Sequence, residues 1–259
     1  MARLNPLAVW GLLKDARTAL EDTSPLLVSG VLSDQLAREL GRDGKPGAIR
    51  TFGPPSGAAA LVRVLAGTPS AEDEAELRAA NRARVPVIAV QTSGEATEVP
   101  YVLATDVVVC PPGAGFPVPE IVDALVARLD EKAIPLAARL PVLRDAVCDH
   151  LVESFSRKNG ILGVAIFVPG ADFPVLTLNQ LRLVLRLAAA HGVHIDQTRV
   201  PELLATIGAG LGFRTVARQL LGTVPLAGWV VKGGVAYVGT RAVGEAARRY
   251  FASVGPAAA

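Results

Sequence analysis

Short apolar runs alternate with helical patterns along the first half of the chain. The runs are LLVSGV (26–31), AIRTF (48–52), ALVRVLA (60–66), PVIAVQ (86–91) and DVVVC (106–110). Mainly apolar runs of this length, flanked by turn-forming residues, are typical of strands that are buried on both faces. Because the strands alternate with helices, the pattern predicts an α/β fold with a parallel, doubly wound sheet.

Helical patterns fill the intervals between these strands. Ser33 or Asp34 can cap a helix that ends at about residue 40, and Ser70 can cap a helix that ends at about residue 84. Acidic residues follow Ser70 in the first turn, where the helix dipole favours negative charge. A third helix is expected over 117–130, where it closes the α/β half.

The opening segment, MARLNPLAVWGLLKDARTALED, predicts an amphipathic helix around Trp10. Its apolar run is too short for a signal peptide, because Lys14, Asp15 and Arg17 interrupt it. Such a helix can contact a membrane or pack against its own domain, and we expect the second.

The second half of the chain has longer and more apolar helical patterns. One helix is predicted over 141–157, with Asn159 and Gly160 as its stop. The segment 161–178 carries a single charge, that of Asp172, but prolines and a glycine interrupt it. A membrane-spanning helix needs about 20 uninterrupted apolar residues. The segment therefore predicts a helical hairpin, either buried in protein or dipping into lipid.

Polar residues form narrow stripes on these apolar helices, and they are candidates for interaction or packing. The candidates are Asp172, Gln180, Arg182, Arg186, Arg214, Arg218 and Thr240. Asp172 either caps the helix that starts near Pro174 or forms a buried ion pair with one of the arginines. His191 and His194 lie near Asp196, where we expect a solvated turn rather than a metal site.

The composition supports a folded chain with a large core. Hydrophobic residues make up 51% of the 259 residues, charged residues make up 19%, and the mean hydropathy is +0.39. These values argue against a disordered protein. The two cysteines form no disulfide framework, which indicates a reducing compartment.

Charge separates two predicted domains, 1–132 and 133–259. The first holds 13 Lys and Arg against 17 Asp and Glu, whereas the second holds 13 against 7. A basic, apolar second domain suits an anionic membrane surface or an acidic partner. The alternative is that the opposite charges of the two domains simply attract each other.

Two stretches of the first domain carry a resemblance to a known family. They are ALVRVLAGTPSAEDEAELRAANRARVPVIAVQTSGE (60–95) and VVVCPPGAGFPVPEIVDAL (107–125). Over about residues 24–130 the pattern resembles the small GTPases of the Era-like, translation-factor-related class. The stretches are similar to the central strand, the base-reading strand, and the last strand with its closing helix. The resemblance implies a P-loop-like fold.

The motifs that bind a nucleotide in that family are missing at the matching positions. A phosphate loop needs G-x-x-x-x-G-K-[ST], but after Gly30 the second glycine is replaced by Gln35, without the following Lys and Ser/Thr. The base-reading position runs from Gln91 to Gly94 and has neither a lysine nor a carboxylate. No Asp-x-x-Gly lies between the second and third strands. The resemblance therefore implies a pseudo-GTPase.

The second domain resembles the YcjF-type helical domain of unknown function over about residues 135–251. The shared elements are Pro-x-x-Asp before a Leu-rich helix with Gln180, and Arg-x-Leu followed by a Pro-x-x-Gly turn. The predicted last helix, 229–251, adds a step from Thr240 to Gly244 and a closing Tyr-Phe. In bacteria this domain often follows an Era-like GTPase domain and is commonly described as membrane-associated. The resemblance implies no reaction.

These observations lead to one expectation and two alternatives. We expect a bacterial protein that is not an enzyme and has no cofactor, metal or nucleic-acid partner. Its helical domain docks on a membrane or forms a homo-oligomer, and its α/β domain presents a surface to a protein partner. The expected location is the cytoplasm, at the inner face of the cell membrane. The alternatives are a switch that binds GTP or ATP in a non-standard way and a soluble scaffold with a helical-bundle core.

Overall fold

The computed structural model describes residues 6–165, 172–193 and 229–254. The strands are β1 (Leu26–Gly30), β2 (Ile49–Arg50), β3 (Ala60–Leu65), β4 (Val87–Gln91) and β5 (Val107–Val109). The α-helices are α1 (Pro6–Glu21), α2 (Ser33–Leu40), α3 (Ala71–Arg82), α4 (Val118–Leu129), α5 (Ile134–Ala137), α6 (Arg144–Ala165), α7 (Asp172–Ala190) and α8 (Trp229–Val254). Short 3₁₀ turns occupy Ala104–Asp106, Asp130–Ala133 and Pro141–Leu143.

The chain divides into two compact units. The α/β unit is Glu21–Val147, and the helical unit combines Met1–Leu20 with Cys148–Ala259. This division differs in two respects from the predicted boundary after residue 132. The N-terminal helix belongs to the helical unit, and residues 133–147 belong to the α/β unit.

The N-terminal helix joins the helical unit through its apolar face. Leu12, Leu13 and Ala16 of α1 pack against Leu181 and Leu185 of α7. The predicted amphipathic helix is present, but the expectation that it packs against its own domain, 1–132, is wrong, because α7 of the helical unit covers its apolar face. The pattern did not identify the partner, which is distant in the sequence.

Residues 133–147 stay with the α/β unit because they are bonded to it. The backbone amide of Lys45 donates to the Arg139 carbonyl at 2.8 Å. The guanidinium of Arg139 donates to the carbonyl of Thr23 at 2.9 Å and to that of Ser24. These bonds join the segment to the loop that precedes β2 and to the chain that precedes β1. The net charge therefore changes after residue 132, whereas the structural boundary lies between Val147 and Cys148.

The five strands form one parallel sheet in the order β2-β1-β3-β4-β5. Leu26 of β1 pairs with Ile49 of β2 on one side and with Ala60 of β3 on the other. All five predicted strands are confirmed. The order is that of a doubly wound sheet, whose direction of winding reverses between β1 and β3.

The sheet is buried on both faces. Right-handed crossovers run in opposite directions from β1 and from β3, so α2 and α3 cover opposite faces. Leu61 and Leu65 of β3 share a core cluster with Leu77 of α3. The alternate residues Val62 and Val64 point to the other face and are also buried. Burial on both faces explains why β3 is a nearly continuous apolar run.

Helices α2 and α3 begin in different ways. The Asp73 amide donates to Ser70 Oγ at 3.2 Å, and the Ser70 amide donates to Asp73 Oδ2 at 2.7 Å, which forms a capping box. Ser70 is thereby confirmed as a cap. The cap position of α2 is Leu32, which adopts a left-handed conformation without a side-chain cap. The prediction that Ser33 or Asp34 caps α2 is wrong, because the helix already includes both.

Helices α6 and α8 run antiparallel. Asp149 near the start of α6 pairs with Arg248 near the end of α8. Ten residues further along α6, Asn159 donates to Thr240, which is earlier in α8, at 2.7 Å. Asn159 also accepts from Asn179 in the first half of α7, and Cys148 near the start of α6 lies beside His191, which directly follows α7, so α7 is also antiparallel to α6.

Helix α6 continues through its predicted stop to Ala165. The predicted end at Asn159 and Gly160 is wrong, because contacts with α8 accommodate both residues inside the helix. The Asn159 side chain is buried and hydrogen bonded to Thr240. A Cβ placed on Gly160 would lie 3.3 Å from Tyr237 Cβ, so the glycine permits close packing on α8.

None of the helices in the described ranges is long and apolar enough to cross a membrane. The predicted hairpin over 161–178 corresponds to the end of α6 and the start of α7. Residues 166–171, which join them in the sequence, lie outside the described ranges.

The capping box predicts a measurable effect of Ser70→Ala on stability. We expect the free energy of unfolding to fall by about 1 kcal/mol, because the substitution removes the acceptor for the Asp73 amide. Urea unfolding of the full chain measures this change. Thr68→Ala, at an exposed position two residues earlier, is the matched control and should have little effect. Equal losses in the two variants would contradict a capping role for Ser70.

Candidate functional site

The end of β1 is shaped by close backbone packing. In doubly wound sheets, ligands bind outside the carboxyl ends of the strands, at the point where the winding reverses. Gly30 ends β1 there with φ of +94°, and a Cβ at this position would lie 2.1 Å from the Val64 carbonyl oxygen. Strand packing therefore requires glycine at Gly30, the position that the sequence resemblance predicts as the first glycine of a phosphate loop.

Gln35, which the resemblance matches to the second glycine of a phosphate loop, lies on the surface of α2. Gln35 is exposed, and its amide donates to Glu39 Oε1 at 3.1 Å, one turn along the helix. Asp34 stands in the first turn of α2. A carboxylate at this position disfavours a phosphate group, because the two negative charges repel each other.

Gln91 and Gly94 have structural partners. The Gln91 side chain is fully buried and donates to the Thr97 carbonyl at 2.9 Å and to Thr97 Oγ1 at 2.6 Å. It also accepts from the Thr97 amide at 2.9 Å. Gly94 has φ of +79°, and a Cβ there would lie 2.7 Å from Pro112 Cγ. The Gln91 amide, which the resemblance places at the base-reading position, therefore holds the loop that follows β4.

A buried cation lies on the sheet face that α3 covers. Nε of Arg63 on β3 donates to Asp73 Oδ1 at 2.8 Å, and its guanidinium also pairs with Glu76. Ser29 on β1 accepts from Arg63 at 3.1 Å and donates to Glu76 Oε2 at 2.9 Å. A buried arginine needs such partners to offset the loss of hydration. Two acids of α3 thus hold the helix against the central strands.

The pKa of the Asp73 carboxyl lies below its ordinary value. Burial acts to raise this pKa, but hydrogen bonds from Ser70 and the charge of Arg63 together lower it by more. The carboxylate is therefore stabilised in its charged form in the folded protein.

Exposed apolar side chains mark one part of the carboxyl edge of the sheet. Val31 and Leu32 follow β1, and Phe52 follows the adjacent strand β2 with 81% of its surface exposed. The Leu32 side chain is exposed. Its backbone adopts the left-handed conformation, which is unfavourable for a bulky residue. Arg50 donates to the carbonyls of Pro54 and Ser56 and so holds the loop that carries Phe52. We call Val31, Leu32 and Phe52 the strand-end patch.

A buried polar cluster connects three helices of the helical unit. Thr240 Oγ1 on α8 accepts from Asn159 at 2.7 Å and from Gln180 at 3.3 Å. Asn159 Oδ1 on α6 accepts from Asn179 of α7 at 2.6 Å. The structure thus brings together two candidates from the sequence, Gln180 and Thr240. The sequence did not indicate Asn159 as a member, because Asn-Gly is a local signal for a helix stop.

The other candidates in the helical unit occupy different positions. Asp172 is the first residue of α7, so the helix begins two residues before Pro174. Arg182 and Arg186 are half-buried on α7, and the buried Nε of Arg182 has no hydrogen-bond partner within the described residues. The remaining two candidates, Arg214 and Arg218, lie outside the described ranges.

Cys148 and His191 form a pair that the sequence did not suggest. The sulfur of Cys148 lies 3.6 Å from His191 Nε2, and both residues are buried. They are 43 positions apart in the sequence. Among the described residues, no group of three or more His, Cys, Asp or Glu is placed to hold a metal ion. His194 and Asp196 lie outside the described ranges.

Apolar side chains are exposed where α6 ends and α7 begins. Ile161 of α6 is 68% exposed, and Val164 of α6 and Val175 of α7 are also exposed. Helices α6 and α7 are antiparallel, so these residues lie toward the same end of the helix pair. We call Ile161, Val164 and Val175 the apolar end. Single exposed apolar residues are ordinary, but a group of them indicates an interaction surface.

The charge on Asp73 predicts an acid-dependent loss of stability. Its folded pKa is below the unfolded pKa, so its contribution is complete above the ordinary pKa of 3.8 and is lost as the pH falls through the folded pKa. Urea unfolding between neutral and acid pH should give a smaller slope of stability against pH for Asp73→Asn than for the wild type. Glu72→Gln, at an exposed position of the same helix, is the matched control. An unchanged slope in Asp73→Asn would contradict this assignment.

Two buried hydroxyl groups, one inside the polar cluster and one outside it, should respond to removal in opposite ways. Thr240→Val preserves the shape but leaves the amide donors of Asn159 and Gln180 without their acceptor, which should cost about 1–3 kcal/mol of unfolding free energy. The buried hydroxyl of Ser156 has no hydrogen-bond partner within the described part of the chain. Ser156→Ala should therefore be neutral or stabilising. Thermal and urea unfolding measure both, and a larger loss in Ser156→Ala would contradict the assigned cluster.

Comparison of the chain with known proteins finds no relative from which a function can be transferred. No protein-family profile matches the sequence, and neither a curated protein nor a solved structure matches it. The functional argument therefore depends on the residues and surfaces described above.

Proposed function

We propose that this protein is a non-catalytic adaptor at a membrane surface. In this proposal the helical unit docks on the lipid surface through the apolar end, and the α/β unit presents the strand-end patch to a protein partner. The α/β unit is a pseudo-GTPase, and the helical unit is of the YcjF type.

The observation that carries the membrane proposal is the exposure of the apolar end. Burial of an exposed Val or Ile side chain contributes about 1.5–3 kcal/mol, so three such residues provide a substantial driving force. The sequence between α6 and α7, IFVPGA (166–171), contains no charged residue. A basic balance in the second half of the chain adds attraction to anionic lipid.

The arrangement of the nucleotide positions supports a non-catalytic α/β unit. Gly30 is needed for contact with β3, and the Gln91 amide is engaged by Thr97. Asp34 places a negative charge at the start of α2, where a phosphate would bind. In this proposal, these residues serve the fold at the positions that the resemblance matches to the nucleotide site of a GTPase.

The strand-end patch supports a role in partner binding. Phe52 is an aromatic side chain that is almost fully exposed on a loop held by Arg50. Exposed aromatic residues on rigid supports are frequent hot spots of protein interfaces, because little conformational entropy is lost on binding. The strained backbone of Leu32 is consistent with a functional demand on this surface.

Vesicle flotation tests the membrane proposal. We expect the full chain to float with phosphatidylcholine vesicles that contain phosphatidylglycerol. The variant Ile161→Asn/Val175→Asn should lower the partition coefficient by a factor of about 100, because two buried apolar side chains contribute roughly 3 kcal/mol together. Both positions are exposed, so the variant should keep the thermal stability of the wild type.

Leu103→Asn, an exposed leucine of the α/β unit, is the matched control and should float like the wild type. If the full chain fails to float, the membrane proposal is wrong. Sedimentation of the same chain as a dimer, lost in Ile161→Asn/Val175→Asn, would instead identify the apolar end as an interface between copies.

A further inference from the structure

Helix α1 has an outer face that its packing on α7 leaves exposed. Leu12, Leu13 and Ala16 pack on α7, whereas Trp10 is 55% exposed. The Nζ atom of Lys14 lies 5.9 Å from the centre of the Trp10 ring. A tryptophan with this much exposed surface is unusual, because its large apolar ring is normally buried.

The outer face combines this ring with positive charge. Trp10, Lys14 and Arg17 are spaced at i, i+4 and i+7, so they follow one line along the helix. Lys14 and Arg17 are both exposed. Asp15 is also exposed but lies about 100° round the helix from Lys14, whereas Glu21 is an exposed acid on the same line, one turn after Arg17. We call Trp10, Lys14 and Arg17 the Trp10 stripe.

The composition of the Trp10 stripe fits the interface of an anionic lipid bilayer. Tryptophan prefers the headgroup level, where its ring contacts apolar chains and its N–H remains hydrated. Basic residues near an anionic surface each strengthen binding, and the effect falls off within a Debye length. A neutral protein partner would not require the two cations beside the ring.

We infer that the Trp10 stripe is a contact site for anionic phospholipid headgroups. This inference rests on the proposed membrane function and names a second contact, distinct from the apolar end. The apolar face of α1 is already packed on α7, so the helix meets the lipid with its Trp and basic side. The contact is therefore shallow and electrostatic, and it selects anionic over zwitterionic lipid.

The fluorescence of Trp10 tests this contact directly. The chain has two tryptophans, Trp10 and Trp229, so Trp229→Phe leaves Trp10 as the single emitter. We expect the emission of this full-length variant to shift to shorter wavelength with phosphatidylcholine vesicles that contain phosphatidylglycerol. Brominated phospholipid in the same vesicles should quench the emission. Vesicles of phosphatidylcholine alone should give a much smaller shift.

Charge reversal identifies the cations. In the Trp229→Phe background, Lys14→Glu/Arg17→Glu should lower the partition coefficient for anionic vesicles by a factor of about 30 or more, since each basic residue contributes roughly a factor of five. Lys14→Arg/Arg17→Lys retains both charges and should bind like the parent. Arg42→Glu/Arg82→Glu makes the same change in net charge at exposed sites of the α/β unit. This control should lose far less affinity.

The two proposals fail in different ways. Flotation of the full chain without a change in Trp10 emission would overturn the Trp10 stripe as a lipid contact but leave the apolar end in place. Equal losses from the reversal in α1 and the reversal in the α/β unit would also overturn it, because net charge alone would then explain binding. Failure of the full chain to float would overturn the membrane proposal and this inference with it.

Discussion

The hydrogen bonds of buried Thr240 constrain how helices α6, α7 and α8 align. An apolar surface by itself permits many alignments of two helices, because hydrophobic contact has no direction. A buried hydroxyl and two buried amides permit few alignments, because each unpaired polar group costs free energy. The contacts of Thr240 with Asn159 and Gln180 therefore set the relative positions of α6, α7 and α8. Gly160 on α6 allows the close approach that these bonds require.

Polar burial has a similar role in the α/β unit. The guanidinium of Arg63 is buried between the sheet and α3, where Asp73 and Glu76 of α3 neutralise its charge. The position of α3 against β1 and β3 follows from this cluster as well as from apolar packing. Around it, side chains and glycines at the carboxyl ends of the strands serve the fold: Gly30 admits the neighbouring strand and Gln91 holds a loop. The carboxyl ends of β1 and β4 thus make internal contacts at the edge of the sheet where doubly wound folds bind ligands.

Three exposed surfaces remain outside these cores: the strand-end patch, the apolar end and the Trp10 stripe. The strand-end patch on the α/β unit and the apolar end on the helical unit are both exposed apolar groups on supported backbone. The Trp10 stripe differs, because positive charge accompanies its aromatic ring. In the proposed adaptor, the strand-end patch suits a protein interface, where aromatic anchors supply binding energy. The other two surfaces suit lipid, where apolar insertion and headgroup attraction add to each other.

The sequence by itself determined the elements whose signals are local. Five apolar runs became five strands, and the Ser70 cap began α3 where expected. Local signals misjudged the end of α6, because Asn159 and Gly160 break a helix only if no partner satisfies them. Only the tertiary structure decided that α1 packs on α7, that Cys148 meets His191, and that Gln180 meets Thr240. Each of these contacts joins residues far apart in the sequence. A periodic pattern specifies which face of an element is buried but carries no information about what covers it.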